Sequence, residues 1–314
     1  MYHVNKHIPQ ALVLHAHLTT QTDFRETKHL GLKMDLIQCT DTLSTKSPRF
    51  GNNAYEEAFD AEVYLEMYYG SLRSDIAAGD MIPFMLKSFH EVFNKGHVTV
   101  YFELGKITGK RLLDIGTGPS ILSVISASEH CDSVYLSDFL PHCRRVLKEW
   151  VGGELTDKFN PFLEYVIDLE KSEESLTSRE NKIRSKIDGI LPCDLFKEEP
   201  LEPAYFPPFD VVTTSLCLEA ICEDSSSYQT SVKRIASLVR KGGHVVVFAV
   251  LGDTTYFVGE EEFKSLHISK GEVEKMWTEA GFTITYCRDS VLPENERNKY
   301  CEFEAWYIMA ARKQ

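Results

Sequence analysis

The chain has no Cys-x-x-Cys pair, no long apolar run and no surplus of basic residues, and each lack closes off a class of function. Its cysteines stand apart at positions 39, 131, 143, 193, 217, 222, 287 and 301, mostly in apolar strand-like text. In a chain of 314 residues that pattern reads as buried free thiols in a reducing compartment, not a disulfide frame or a zinc site. The longest apolar stretch, Val245 to Leu251, is only strand length, so a membrane span is not expected. Ala11 to Leu14, followed by His15 and His17, is too short for the core of a secretory leader. A cytoplasmic location is expected. Lysine and arginine number 34 against 47 acids, for a net charge of −13. This excess argues against nucleic acid or an anionic membrane as partner and mildly favours cationic ligands.

What is present is an ordinary globular composition, 43% hydrophobic and 26% charged, long enough for one large core in one or two domains. Residues 1–53 are polar and contain His3, His7, His15, His17 and His29 without acid or cysteine partners at ligand spacing. They are read as a poorly ordered extension, and no metal site is expected. Residues 54–314 read as a single domain: a helical cap over 54–96 and a Rossmann-like core over 97–314. The cap is expected as one helix over 55–72, with Tyr64 and Tyr68 on one face, and a second near 81–94 stopped by Gly96. Beyond it, strands are expected near 111–115, 133–138, 162–167, 189–193, 209–215, 243–250, 282–288 and 303–311. Helices are expected near 120–130, 141–151, 174–187, 228–240 and 271–280. Short apolar strands alternating with amphipathic helices predict an α/β fold with a mainly parallel sheet covered on both faces. The final two strands lack a long helix between them, which predicts an antiparallel pair.

The most informative segment is Leu112-Leu113-Asp114-Ile115-Gly116-Thr117-Gly118-Pro119, answered by Asp138 at the end of Ser133-Val134-Tyr135-Leu136-Ser137-Asp138. Glycines at 116 and 118 let the backbone approach a ligand closely. Asp138 falls at the carboxyl edge, where open α/β sheets bind ligands, and a carboxylate there can accept from both hydroxyls of a ribose. A dinucleotide site would want a third glycine, yet position 121 is isoleucine, and Pro119, in the expected first turn of a helix, has no N–H to give a pyrophosphate. No Gly-Lys-Ser/Thr of a Walker loop follows. An adenosine cofactor without phosphates, S-adenosylmethionine, suits the Asp-x-Gly-x-Gly form best.

Four patches together resemble the small-molecule methyltransferase family that includes the nicotinamide, phenylethanolamine and thioether/indolethylamine methyltransferases. They are Tyr55-x-x-x-Phe59-x-x-x-x-Tyr64-Leu65-x-x-x-Tyr69; Asp114-Ile115-Gly116-Thr117-Gly118-Pro119-Ser120; Ser215-Leu216-Cys217-Leu218-Glu219-Ala220; and Tyr256-x-x-Gly259-Glu260-x-x-Phe263. The resemblance runs from about Tyr55 to the C-terminus and implies a class I S-adenosylmethionine-dependent methyltransferase fold with a seven-stranded sheet. It implies that Tyr64, Tyr69, Gly116 and Ser120 hold the methionine half of the cofactor, with Gly118 also among the cofactor-binding residues. Asp138 would hold the ribose, Phe139 would flank the adenine, and Asp194 with the Leu195 N–H would meet the adenine edge. Ser215 would lie beneath the methyl donor. Tyr55, Asp253, Tyr256 and Ser265 would surround the acceptor.

The sequence also departs from the family. Cys143, a poor hydrogen-bonding group, stands where the family has an asparagine reaching the ribose. Leu122 replaces a tyrosine, and Ala249 replaces the aspartate of the nicotinamide branch. Glu219 matches an acid that the phenylethanolamine branch places by the acceptor amine, and it is the expected catalytic base. The expected function is methyl transfer to the nitrogen of an arylalkylamine or a pyridine such as nicotinamide, by a monomer. A cofactor-binding homologue with weak or no turnover, or a thioether S-methyltransferase, remains the alternative.

Overall fold

The computed structural model describes residues 51–72, 81–94, 98–99, 102–103, 106–155, 157–297 and 302–314. The expected extension lies outside the described residues up to position 50, as do its histidines, Cys39 and Cys301. The described residues belong to one compact unit. Its helices are α1 (Asn52–Ala58), α2 (Ala61–Tyr69), α3 (Met81–Asn94), α4 (Pro141–Val151), α5 (Asn160–Glu170), α6 (Leu176–Lys186), α7 (Leu218–Ile221), α8 (Ser225–Leu238) and α9 (Lys270–Glu279). Two short strands, β1 (Val98–Thr99) and β2 (Phe102–Glu103), pair with each other. The main strands are β3 (Gly109–Ile115), β4 (Cys131–Asp138), β5 (Ile187–Pro192), β6 (Phe209–Ser215), β7 (Val239–Leu251), β10 (Phe282–Val291) and β11 (Ala305–Lys313); between β7 and β10 lie β8 (Thr255–Val258) and β9 (Glu261–Lys264).

The seven main strands form one sheet in the order β10-β11-β7-β6-β3-β4-β5. Strand β11 runs antiparallel to both neighbours, and the remaining pairs are parallel. Side chains alternate across the sheet, so Leu112, Val246, Phe248 and Ile308 enter one core with α3, α4 and α5. Leu113, Val245, Val247 and Tyr307 enter a second core with α8 and α9. Both faces are buried, which is why these strands read as near-continuous apolar text.

Local chemistry explains where the sequence-based expectations fail. The segment 162–167, expected as a strand, is the middle of α5. Its buried Phe162, Leu163, Val166 and Ile167 repeat at helical spacing, and Pro161 occupies the first turn. Without that segment the strands of the main sheet number seven. The helix expected over 120–130 is instead two 3-10 turns, Leu122–Val124 and Ala127–His130, so Pro119 does not begin an α-helix. Serine and β-branched residues dominate this stretch, and almost all of it is buried, leaving no polar face for an amphipathic helix. The single helix expected over 55–72 is broken at Asp60, whose carboxylate accepts from the N–H groups of Glu62 and Val63, both at 3.0 Å, and so starts α2. Helix α3 lines the cavity with Met81 and Met85 at its start and packs on the sheet farther along: Phe84 lies 5.9 Å from the Trp306 ring centre, and Glu91 accepts from Arg288 at 2.8 Å. Phe89 and Phe93 are wholly buried there, each worth roughly 1.5–3 kcal/mol of apolar burial. No helix among the described residues is long and apolar enough to cross a membrane.

Candidate active site

The carboxyl ends of β3, β4, β5, β6 and β7 open onto one cavity, closed from above by α1, α2, the start of α3 and the β8–β9 hairpin. Every residue singled out from the sequence as a site candidate lines it: Tyr55, Tyr64, Tyr69, Gly116, Gly118, Ser120, Asp138, Phe139, Cys143, Asp194, Leu195, Ser215, Glu219, Asp253, Tyr256 and Ser265.

The turn after β3 is held by its neighbours. Thr117 N donates to Ser137 O at 3.0 Å, and Ser137 N donates to Thr117 Oγ1 at 3.1 Å. Gly116 and Gly118 have φ of 65° and 62°, the left-handed region that glycine enters without strain. A Cβ on Gly116 would stand 2.3 Å from Cys217 Sγ, so a side chain is excluded there. Beneath the turn, Asp114 is buried and accepts from Thr213 Oγ1 at 2.5 Å and Ser123 Oγ at 2.8 Å. Burial pushes its carboxyl up to about 6, against those hydrogen bonds. Asp138 closes the far side: one oxygen accepts from Gly118 N and the other from Leu140 N, both at 2.8 Å. Burial raises its pKa too, opposed by those two amides.

On the cap side, Tyr64 and Tyr69, with ring centres 5.6 Å apart, line the cavity together with Ser120. Tyr55 donates to Ala220 O at 3.0 Å and makes a short hydroxyl contact with Tyr256. Tyr68 donates to Phe257 O at 2.9 Å, and Gly259 N to Met67 Sδ at 2.9 Å. Phe263 lies 5.1 Å from the Tyr55 ring and 5.4 Å from the Tyr256 ring. These contacts bolt α1 and α2 to the hairpin.

Another part of the cavity wall is acidic. Glu219, on α7, is 3% exposed, and its Oε1 accepts from Val250 N at 3.0 Å. It therefore satisfies a backbone donor while lining the cavity. Burial, reinforced by the nearby Asp253 charge, pushes its carboxyl up to about 7. Asp253 is buried as well and is pushed up to about 6, with a Ser265 hydrogen bond acting the other way.

The departures noted in the sequence separate in space. Cys143 is buried in the cavity wall, whereas Leu122 and Ala249 are buried away from it, Val250 taking the wall position on β7. Asp194 accepts from Phe196 N at 2.9 Å, capping its own loop. Sequence reasoning missed Thr117, Phe196, Leu216 and Cys217 on the cavity wall. Leu216 has φ of 52°, a conformation that is uncommon for a branched side chain and collects at functional sites. Tyr68 carried a sequence signal, its spacing from Tyr64, but not one that pointed to a site.

A single reversed strand, next to the edge of an otherwise parallel seven-stranded sheet, a glycine turn after the sheet's first strand in chain order and a buried acid at the end of the second define a class I S-adenosylmethionine-dependent methyltransferase. The NNMT/PNMT/TEMT family pattern matches residues 48–314. The chain belongs to that family of S-adenosylmethionine-dependent small-molecule N-methyltransferases. It is 32% identical over 235 residues to indolethylamine N-methyltransferase of Oryctolagus cuniculus, covering 74% of this chain and 86% of that protein. It is 29% identical over 262 residues to nicotinamide N-methyltransferase of Homo sapiens, covering 83% and 95%. Against phenylethanolamine N-methyltransferase of Sus scrofa the identity is 27% over 264 residues, covering 83% and 90%. Among solved structures, the crystal structure of the [4+2]-cyclase SpnF aligns with a TM-score of 0.50 at 13% identity, covering 85% of this chain and 99% of that one, a likeness of fold alone.

Proposed function

We propose that this chain methylates the nitrogen of a small cationic amine with an apolar body, an arylalkylamine in preference to a pyridine. The observation that carries the reading is the pair of buried carboxylates, Glu219 and Asp253, in the wall of the same cavity as Asp138. The cavity fits the cofactor on its own chemistry. Ser215 Oγ is buried there without a hydrogen-bond partner, and Gly118, whose missing side chain would meet nothing within 4 Å, leaves open space beside the Asp138 carboxylate. Asp138 would take the ribose hydroxyls, Tyr64, Tyr69 and Ser120 the methionine end, and Phe139, Asp194 and Leu195 the adenine end. When bound, S-adenosylmethionine supplies a methyl group already activated by its sulfonium.

The chain's own residues have three tasks. Tyr55 and Tyr256, backed by the buried Phe263 ring, orient the acceptor and, with the bolted cap, keep water from the reacting atoms. Asp253, with Ser265, attracts the ammonium form of the acceptor. Glu219 takes the proton that an ammonium must lose before its lone pair can attack. A carboxyl pushed up to about 7 by burial suits that step, since it is partly ionised near neutrality and basic enough to accept the proton. A pyridine has a free lone pair at neutral pH and needs no such base.

Methyl transfer from labelled cofactor to a panel of arylalkylamines, pyridines and thioethers tests the reading. Amines are expected to lead, with rates rising with pH through about 7 as Glu219 ionises. Glu219→Gln is expected to slow amine methylation by about 10²–10⁴-fold, the usual contribution of a positioned base, while sparing any pyridine turnover. Equal slowing of both acceptor classes would remove Glu219 as the base. Tight S-adenosylhomocysteine binding without transfer to any acceptor would favour the non-catalytic homologue.

A further inference from the structure

Large apolar side chains that stay exposed number four among the described residues: Val63, Phe196, Tyr205 and Val291. Phe196 alone of these lines the cavity, and it is 39% exposed. We infer that Phe196 is a further cofactor-binding residue, its ring giving the purine base of the cofactor a stacking surface at the cavity mouth. The inference rests on the cofactor assignment above and not on the choice of acceptor.

Three observations support it. First, the loop that carries the ring is fixed before any ligand arrives. Phe196 N donates to Asp194 Oδ1 at 2.9 Å, Asp194 N to Pro200 O at 2.9 Å and Lys197 N to Asp194 O at 3.1 Å. Arg234 Nη1 donates to Leu195 O at 2.6 Å, tying the loop to α8. A ring on so well-tethered a backbone offers a preorganised face, and little ordering cost remains for binding.

Second, the loop belongs to the nucleoside end of the cavity. Cys193 N donates to Asp138 O at 3.2 Å, joining its start to the residue whose carboxylate would hold the ribose. Phe139, partly buried, follows Asp138 directly and lines the same wall. The methionine-end hydroxyls of Tyr64 and Tyr69 come instead from α2.

Third, ring chemistry separates the two halves of the cofactor. A purine has a broad π face on which an aromatic ring gains offset or edge contacts. The methionine chain has none. The neighbouring Leu195 side chain is buried, whereas the Phe196 ring is partly exposed on the cavity wall and is the aromatic face this turn offers.

The test is titration calorimetry of S-adenosylhomocysteine, and separately of adenosine, against the full chain as wild type, Phe196→Ala and Phe196→Trp. Phe196→Ala is expected to weaken both ligands about five- to tenfold, the lower part of the range for losing an aromatic partner of a base. Phe196→Trp is expected to stay within about twofold of wild type, because the stacking face is retained. An alanine variant with wild-type affinity overturns the inference. So does a tryptophan variant as weak as alanine, for then aromatic character is irrelevant. Unliganded melting temperatures of the variants, expected to match wild type for so exposed a side chain, separate lost contact from lost fold. A wild-type chain that binds S-adenosylhomocysteine yet methylates no amine removes the amine reading and leaves the affinity ratio at Phe196 intact.

Discussion

Asp138 can combine its structural job with the ribose contact proposed for it. By accepting from Gly118 N and Leu140 N it ties the glycine turn after β3 to the start of α4. Each carboxylate oxygen has a second lone pair, so hydroxyl donors can still be accepted. Replacing it by alanine removes both functions, leaving two amide donors without their acceptor and freeing the turn. Asp138→Ala is therefore expected to weaken S-adenosylhomocysteine binding by about 1.5–3 kcal/mol, the range for hydrogen bonds to a charged group. Calorimetry reads this directly, and an unchanged dissociation constant would refute the assignment. Asp138→Asn keeps one acceptor oxygen and is expected to fall between the two.

At the scale of elements, the cap is built from a break. Asp60 ends one helical direction and starts another, so Tyr64, Tyr68 and Tyr69 on α2 turn inward while Tyr55 on α1 reaches Ala220. Asp60→Ala is expected to cost roughly 0.5–2 kcal/mol of stability, the usual loss of an N-cap, seen as a lowered urea midpoint. A larger share of the damage is expected in cofactor affinity, because α2 carries two of the hydroxyls proposed to meet the methionine end. The break itself was hidden in the sequence: Tyr64 and Tyr68 fit one long helix equally well, and a single aspartate is weak punctuation. Legibility followed the same rule elsewhere. Strand ends could be read because their residues are short apolar runs closed by Gly116, Asp138, Asp194 and Ser215, and those closures line the cavity. The stretch 162–167 could not, since a short apolar run gives strand and helix the same text until its partners choose. The β8–β9 hairpin left only the Gly259-Glu260 turn as a sign, with strands of four residues each. The backbone of Leu216 and the exposure of Phe196 have no sequence signature at all.

For the whole molecule, the buried acids in and beneath the cavity wall are a burden on the fold. Glu219 is held up to about 7, Asp253 to about 6 and Asp114 to about 6, each chiefly by burial. Their ordinary values are 4.5, 3.8 and 3.8, so between roughly pH 4 and 7 the folded chain holds protons that the unfolded chain has released. Stability from these groups is full below the unfolded values and is lost as pH rises through the folded ones. Glu174, Asp210, Asp224 and Glu272, whose carboxyls are lowered by hydrogen bonds and neighbouring cations, act oppositely and at more acid pH. The net charge of −13 adds self-repulsion on the alkaline side. Urea denaturation at pH 5 and pH 8 is thus expected to find the ligand-free wild type more stable at pH 5. Glu219→Gln removes one ionisation from the buried pair and is expected to gain up to about 3 kcal/mol at pH 8, at 1.36 kcal/mol per pKa unit, and little at pH 5. The variant that stabilises the fold is the one that loses the base, the opposition expected where a strained acid serves chemistry. Equal stability of wild type and Glu219→Gln at pH 8 would mean that ionised Glu219 costs the fold nothing, and the proton-accepting role would lose its physical ground.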